Sequence, residues 1–181
     1  MIGLFVDTAS KNGLALLVKA DQVLAQEIFI SNSGVFEPIK KLFANAKLNP
    51  EDLDFVAAGK GPGSFTGIRV SQMAIRSMAF ALRVPFYGLS SLSLYTQAYP
   101  VALDARSGGV WIQEPGLEPK RVSLELLKAY PKIASPDPEP LIDRLGQEKV
   151  VSTAFDPENI VRLLSEELLK PGSQDPEILY L

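Results

Sequence analysis

Between residues 2 and 30 the apolar positions come in short runs broken by polar or small residues: Ile2-Gly3-Leu4-Phe5-Val6, Leu14 to Val18 and Val23 to Ile30. Runs of this length bounded by turn formers predict strands. The first ends in Asp7, the Asn12-Gly13 pair reads as a hairpin signal, and Ala20-Asp21 marks a second turn. From Ser33 to Leu48 the period becomes helical, with Val35, Ile39, Leu42 and Ala46 on one line, Phe36 and Phe43 beside it, and Lys40, Lys41 and Lys47 outside. Pro38 either sets the helix start near Val35 or bends the first turn. Leu53 to Ala58 predicts a short buried strand, Thr66 to Arg83 a proline-free helix, Pro85 to Leu89 another strand, and Ser90 to Thr96 a short capped helix.

Periodicity weakens after a predicted lobe boundary at Tyr99-Pro100. Val101 to Asp104 and Val110 to Ile112 read as a hairpin around Arg106 to Gly109, with Asp104 and Arg106 on one side and able to pair. Glu114 to Pro140 holds six prolines and one short helical pattern, Leu124 to Tyr130, and reads as a connector. Asp156-Pro157-Glu158 announces a helix with an N-cap acid and a first-position proline; it runs to Lys170 and stops at Pro171-Gly172.

The pattern turns on one junction, Gly59-Lys60-Gly61-Pro62-Gly63-Ser64-Phe65-Thr66-Gly67-Ile68-Arg69, where a strand of small residues feeds the longest helix of the first half. Three glycines permit positive φ, Pro62 stiffens the loop entry, and Ser64 or Thr66 can cap the helix. Free amides at a helix N-terminus suit an anion. The spacing nevertheless fails the dinucleotide fingerprint, the Walker pattern and the nucleophile elbow, so the residues alone favour a structural turn over a phosphate cradle.

Composition narrows the chemistry. The chain has 181 residues, 46% hydrophobic and 22% charged, which suffices for one large or two small domains. A net charge of -3 offers no footprint for holding a nucleic acid unaided. There is no cysteine, hence no disulfide or thiolate ligand, and no histidine, hence neither the commonest general base nor the commonest transition-metal ligand. The acidic residues form no tight inward cluster, so no metal site and no catalytic residue is assigned. Without a signal-peptide pattern or a membrane-length apolar run, a cytoplasmic protein is expected.

Gly61 to Arg69 resembles the signature of the bacterial TsaB (YeaZ) family. The resemblance extends to Asp7-Thr8-Ala9-Ser10, Leu48 to Leu53, Gly88-Leu89-Ser90-Ser91-Leu92 and Asp104-Ala105-Arg106, thins after Trp111, and returns at Pro176 to Leu181. Asn32-Ser33 stands where the family usually has His-Ser. The resemblance implies an α/β protein of the actin-like ATPase (ribonuclease H-like) fold with two lobes, residues 1–98 and a shortened 99–181. It implies an accessory, non-catalytic subunit in threonylcarbamoyl transfer to the adenosine beside the tRNA anticodon. Such a subunit binds and activates TsaD, with a TsaE-like ATPase in the larger complex and tRNA met only through that complex.

In ATP-binding members of that superfamily the loop after the first strand faces phosphate, which makes Asp7, Thr8, Ser64 and Thr66 the candidate nucleotide residues. The expectation is that this chain binds no cofactor tightly and that ATP enters only the assembled complex. The alternatives are a free-standing actin-like nucleotide-binding protein and a glycoprotease-like peptidase, the latter disfavoured by the absent histidines.

Arg69, Arg76 and Arg83 recur every seven residues and keep a narrow stripe on a helix otherwise apolar over most of its circumference. The resemblance implies a helix-to-helix interface formed by the two helices, so the partner surface is expected on helices 35–46 and 68–83, through Val35, Ile39, Leu42, Ser71, Ala74, Met78 and Ala81, with Arg69 and Arg76 at the rim. A homodimer of the free chain is left open.

Overall fold

The computed structural model describes residues 1–105 and 108–170. The chain divides into two compact units, Met1–Ser91 joined by the helix that begins at Pro157, and Leu92–Asp156. This differs from the expected division into 1–98 and 99–181, because the last helix returns to the first unit. Arg106, the stop at Pro171-Gly172 and the segment Pro176 to Leu181 lie outside the described residues.

In the first unit β1 (Ile2–Asp7), β2 (Asn12–Lys19) and β3 (Gln22–Ile30) form an antiparallel meander. β4 (Phe55–Gly59) and β5 (Phe86–Leu89) add in parallel, giving the order β3-β2-β1-β4-β5. Asn12-Gly13 is not a turn: both residues already pair with Ile30 and Phe29, and the four residues 8–11 make the connection. Parallel strands need crossovers, supplied by α1 (Phe36–Ala46) between β3 and β4 and α2 (Phe65–Leu82) between β4 and β5. Both lie on one sheet face, over a core of Leu4, Val6, Leu17, Val56, Ile39, Leu42 and Ile75. The other face carries the alternate residues Phe5, Leu14, Leu16 and Phe55, all fully buried. There α5 (Pro157–Leu168), starting at the expected proline, reaches both β5 and β3 and buries Ile160, Val161 and Leu164.

The second unit repeats this wiring with shorter pieces. β6 (Val101–Asp104), β7 (Val110–Gln113) and β8 (Lys120–Val122) form a meander, and α3 (Leu124–Leu127) leads to β9 (Ile133–Ser135). α4 (Glu139–Leu145) then leads to β10 (Val150–Ser152), in the order β10-β9-β6-β7-β8. The presumed connector 114–140 is therefore structured. Strands of three residues are too short to show a period of two, and their burial comes from Val110, Ile112, Leu127, Ile133 and Leu141 closing on one another. Ser90 to Thr96 forms only a 3-10 turn, Ser91–Leu94. Asp104 accepts a hydrogen bond from Arg144 at 2.8 Å on α4.

Each unit thus carries the βββαβαβ wiring of the actin-like, ribonuclease H-like fold. Among the described residues no helix is long and apolar enough to cross a membrane.

Candidate functional site

The C-terminal ends of β1, β4 and β5 converge on the glycine junction. β1 delivers Asp7 and Thr8, β4 delivers Gly59, and the chain leaving β5 delivers Ser91; the three protein side chains Asp7, Thr8 and Ser91 are at most 2% exposed. Asp7 Oδ2 accepts the Ser91 hydroxyl at 2.6 Å and Oδ1 accepts the Ala9 amide at 3.0 Å. Burial raises the Asp7 carboxyl to about 6, and those two hydrogen bonds only partly offset it. Ser91 also accepts the Gly61 amide at 3.1 Å and returns its own amide to the Gly61 carbonyl at 2.9 Å.

The approach of these strands leaves no room for side chains at two glycines. A Cβ on Gly59 falls 1.7 Å from Asp7 Oδ2, and a Cβ on Gly67 falls 1.9 Å from the Thr8 carbonyl oxygen. Thr8 Oγ1 donates to the Gly67 carbonyl at 2.6 Å, and the Ser64 amide donates to the Ala9 carbonyl at 2.6 Å. Ser64 caps α2 by accepting the Gly67 amide at 3.2 Å. Gln72, fully buried one turn further along α2, donates Nε2 to the Gly59 carbonyl at 2.8 Å.

These bonds decide how the junction fits a phosphate. In an anion cradle the loop amides and the strand-end polar groups point at the ligand. Here the amides of Lys60, Gly61, Ser64 and Gly67 go to Leu89, Ser91, Ala9 and Ser64, Asp7 is turned onto the Ser91 hydroxyl and the Ala9 amide, and Thr8 onto the Gly67 carbonyl. Of the four candidate nucleotide residues, Asp7, Thr8 and Ser64 are engaged in this way, and Thr66 stands on the exposed side of α2. The loops after β1 and β4 clasp each other, so these residues do not fit a nucleotide phosphate, and no step is derived through one. Ser91 and Gln72 escaped the sequence reading. Ser91 lay inside the quoted Gly88 to Leu92 motif, and Gln72 is the one amide in the buried arc of α2.

The second functional feature is the layer formed by α1 and α2. Val35, Ile39, Leu42, Ser71 and Ala74, expected at a partner interface, are instead 9% exposed or less and belong to the protein's own interior, and Met78 packs partly into the same core. The reason is geometric. Small residues allow a close approach to any neighbour, and here the neighbour is the sheet, whose facing residue Ala58 is equally small. Of the expected set, Ala81 and Arg69 are exposed and Arg76 half-exposed. The outward arc of α2 is carried by Val70, Met73, Ser77 and Phe80; Met73 is 65% and Phe80 89% exposed. Arg69 lies 3.8 Å over the Phe65 ring and Arg76 4.7 Å over Phe86, which holds both guanidinium groups along the edge of that arc. On α1, Phe36 is likewise 63% exposed.

The family model described as TsaD, tRNA N6-adenosine threonylcarbamoyltransferase, matches residues 34–109. The tRNA threonylcarbamoyladenosine biosynthesis protein TsaB of Buchnera aphidicola (subsp. Schizaphis graminum) is 48% identical over 59 residues, 33% of this chain and 28% of that one. The TsaB protein of Bacillus subtilis is 33% identical over 94 residues, 49% and 41% of the two chains. These matches therefore span less than half the length of both relatives. The solved structure titled YeaZ from Pseudomonas aeruginosa superposes over 99% of both chains with a TM-score of 0.79 at 20% identity, a likeness of fold.

Proposed function

We infer that this chain is a member of the TsaB family and the accessory subunit of a threonylcarbamoyl-transfer system acting on tRNA, and that it works by docking a TsaD-family subunit rather than by contributing a reacting group. The observation that carries this reading is the outward face of α2. A helix whose inner side already packs on its own sheet presents Val70, Met73 and Phe80 to the outside, and apolar side chains grouped on one exposed arc mark a surface for a partner. The TsaD-like character of residues 34–109 covers both helices of this layer and supports a pairing of related folds through them.

The interior of the glycine junction supports the non-catalytic half of the reading. Asp7, Thr8, Ser64 and Ser91 spend their polar atoms on one another and on backbone, so the signature loop shapes and stiffens the start of α2, which is the element offered to the partner. ATP, if it enters, does so in the assembled complex; a TsaE-like ATPase and tRNA join through that complex as well.

The test is reconstitution of threonylcarbamoyl transfer with and without this chain. Modification is expected to fall to background on its omission. An unchanged rate overturns the reading.

A further inference from the structure

The edge strand β3 is of a kind that proteins ordinarily blunt. An edge presents one row of N–H and C=O groups outward, and natural chains keep such rows short, charge them, or cover them. The other three edges of the two sheets follow this: β5 has four residues, all buried, β8 has three, two of them Lys120 and Arg121, and β10 has three. β3 runs for nine residues without proline, lysine or arginine, and Glu27 is its one charge. Its bulge falls near the start, where Leu24 has no opposite residue on β2, so Ala25 to Ile30 is regular.

The ladder says which groups point outward. The Ser31 amide donates to the Lys11 carbonyl at 3.1 Å, and the backbones that face β2 alternate back from there through Phe29, Glu27 and Ala25. Gln26, Ile28 and Ile30 therefore turn N–H and C=O away from β2, and among the described residues no strand pairs with them on that side. The Ile30 carbonyl accepts the Ser33 hydroxyl at 2.7 Å and keeps a second lone pair. The same three residues carry exposed side chains, with Ile28 55% and Ile30 62% exposed, while Ala25 and Phe29 pack against the core under α1.

We propose that β3 pairs antiparallel with β3 of a second copy of this chain, about a two-fold axis at Ile28, joining two five-stranded sheets edge to edge. A two-fold contact presents the same strand from both sides, so the strand must be complementary to itself. An axis at Gln26 runs Ile28 into the bulged Leu24, and an axis at Glu27 sets two carboxylates opposite each other. An axis at Ile28 avoids both: Ile28 meets Ile28, Gln26 meets Ile30, and Glu27 lies opposite Phe29. Each of the three outward residues then finds a hydrogen-bonded partner, and the two exposed isoleucines of each copy are covered. The outer arc of α2 takes no part, because α2 lies over β4, β1 and β5. The pairing therefore does not rest on the docking function inferred above.

The test is sedimentation of the full chain between about 1 and 200 µM, together with hydrogen exchange of the Gln26, Ile28 and Ile30 amides at both ends of that range. The variants are Ile28→Lys, which sets two ammonium groups opposite each other across the axis, and Ile28→Thr, which keeps a β-branched strand former. Circular dichroism checks the fold of each. The parent is expected to dimerise within the range, and the three outward amides to exchange more slowly as concentration rises, while those of Glu27 and Phe29, bonded to β2, do not change. Ile28→Lys is expected to raise the dissociation constant at least about tenfold and Ile28→Thr by less than about threefold.

A monomer throughout the range overturns the proposal. So does a dimer that Ile28→Lys leaves intact, or one that Met73→Glu dissolves, which puts self-association on α2. Outward amides that are already protected in the monomer overturn it as well, because another part of the same chain then covers the edge. Should Ile28→Lys fail to fold, the concentration dependence of exchange in the parent decides.

Discussion

The hydroxyl of Ser91 donates to the carboxylate of Asp7 at 2.6 Å, joining residues 84 apart in the chain and closing the ends of β1 and β5 over the glycine junction. Neither group is open to solvent, and the same serine receives the Gly61 amide, so one hydroxyl holds the strand end and the loop together.

The burial of Asp7, which outweighs that bond, carries a pH signature. Folded, Asp7 keeps its proton up to about pH 6, against 3.8 for the ordinary carboxyl, so between these values the native state binds more protons than the unfolded chain. Stability from this residue is fully present below about pH 4, is lost as pH rises toward 6, and stays lost above. The cost of the buried carboxylate at neutral pH is roughly 3 kcal/mol. Asp7→Asn is expected to flatten the decline between pH 4 and 6 in urea titrations, relative to the parent; an unchanged decline assigns it to other groups. Glu114, half-buried and held below the usual carboxyl range by Lys120 and Tyr130, acts with the opposite sign in both proteins and cancels in the comparison.

Gly67→Ala reverses the ordinary helix rule. Alanine favours a helix over glycine by about 0.5–1 kcal/mol, yet the new methyl would stand 1.9 Å from the Thr8 carbonyl oxygen, a backbone atom that cannot swing aside. The variant is expected to lose at least about 2 kcal/mol, or roughly 5 °C in melting temperature. A gain in melting temperature would show that the two loops are not clasped.

Opposite faces of α2 separate folding from docking. Ala74→Glu buries a charge in the first unit's core and is expected to prevent folding, read by circular dichroism. Met73→Glu and Phe80→Glu place the charge on the exposed arc, keep the native melting temperature within about 1 °C, and abolish co-elution with the TsaD homologue. Retained co-elution moves the interface off this helix.

The purified chain is expected to hydrolyse ATP no faster than buffer and to show no shift in melting temperature with magnesium ATP, because the Lys60, Gly61, Ser64 and Gly67 amides and the Asp7 and Thr8 side chains are bonded inward. Hydrolysis that disappears in Asp7→Ala is the result that reinstates a nucleotide site.

Local pattern was enough for much of this. Helical spacing and proline placement located α1, α2 and the Pro157 start of α5; apolar runs located β1 to β7 except for the misread turn at Asn12-Gly13; and the long glycine motif carried the family resemblance, and with it the two-lobed fold. Each of these is written in residues within a few positions of one another. What local pattern could not distinguish is which side of a nearly all-apolar helix is covered. Ser71 and Ala74 have the small size that close helix pairing wants, and only the position of the sheet shows that they are already used. The same holds for Ser91, whose partner lies 84 residues away, and for the three-residue strands of the second unit, which exist because their neighbours supply the other half of each ladder. Spacing along a chain reports periodicity and caps, because those are interactions between near neighbours; burial and long-range hydrogen bonds depend on what the fold brings up from elsewhere, and that the tertiary structure alone decides.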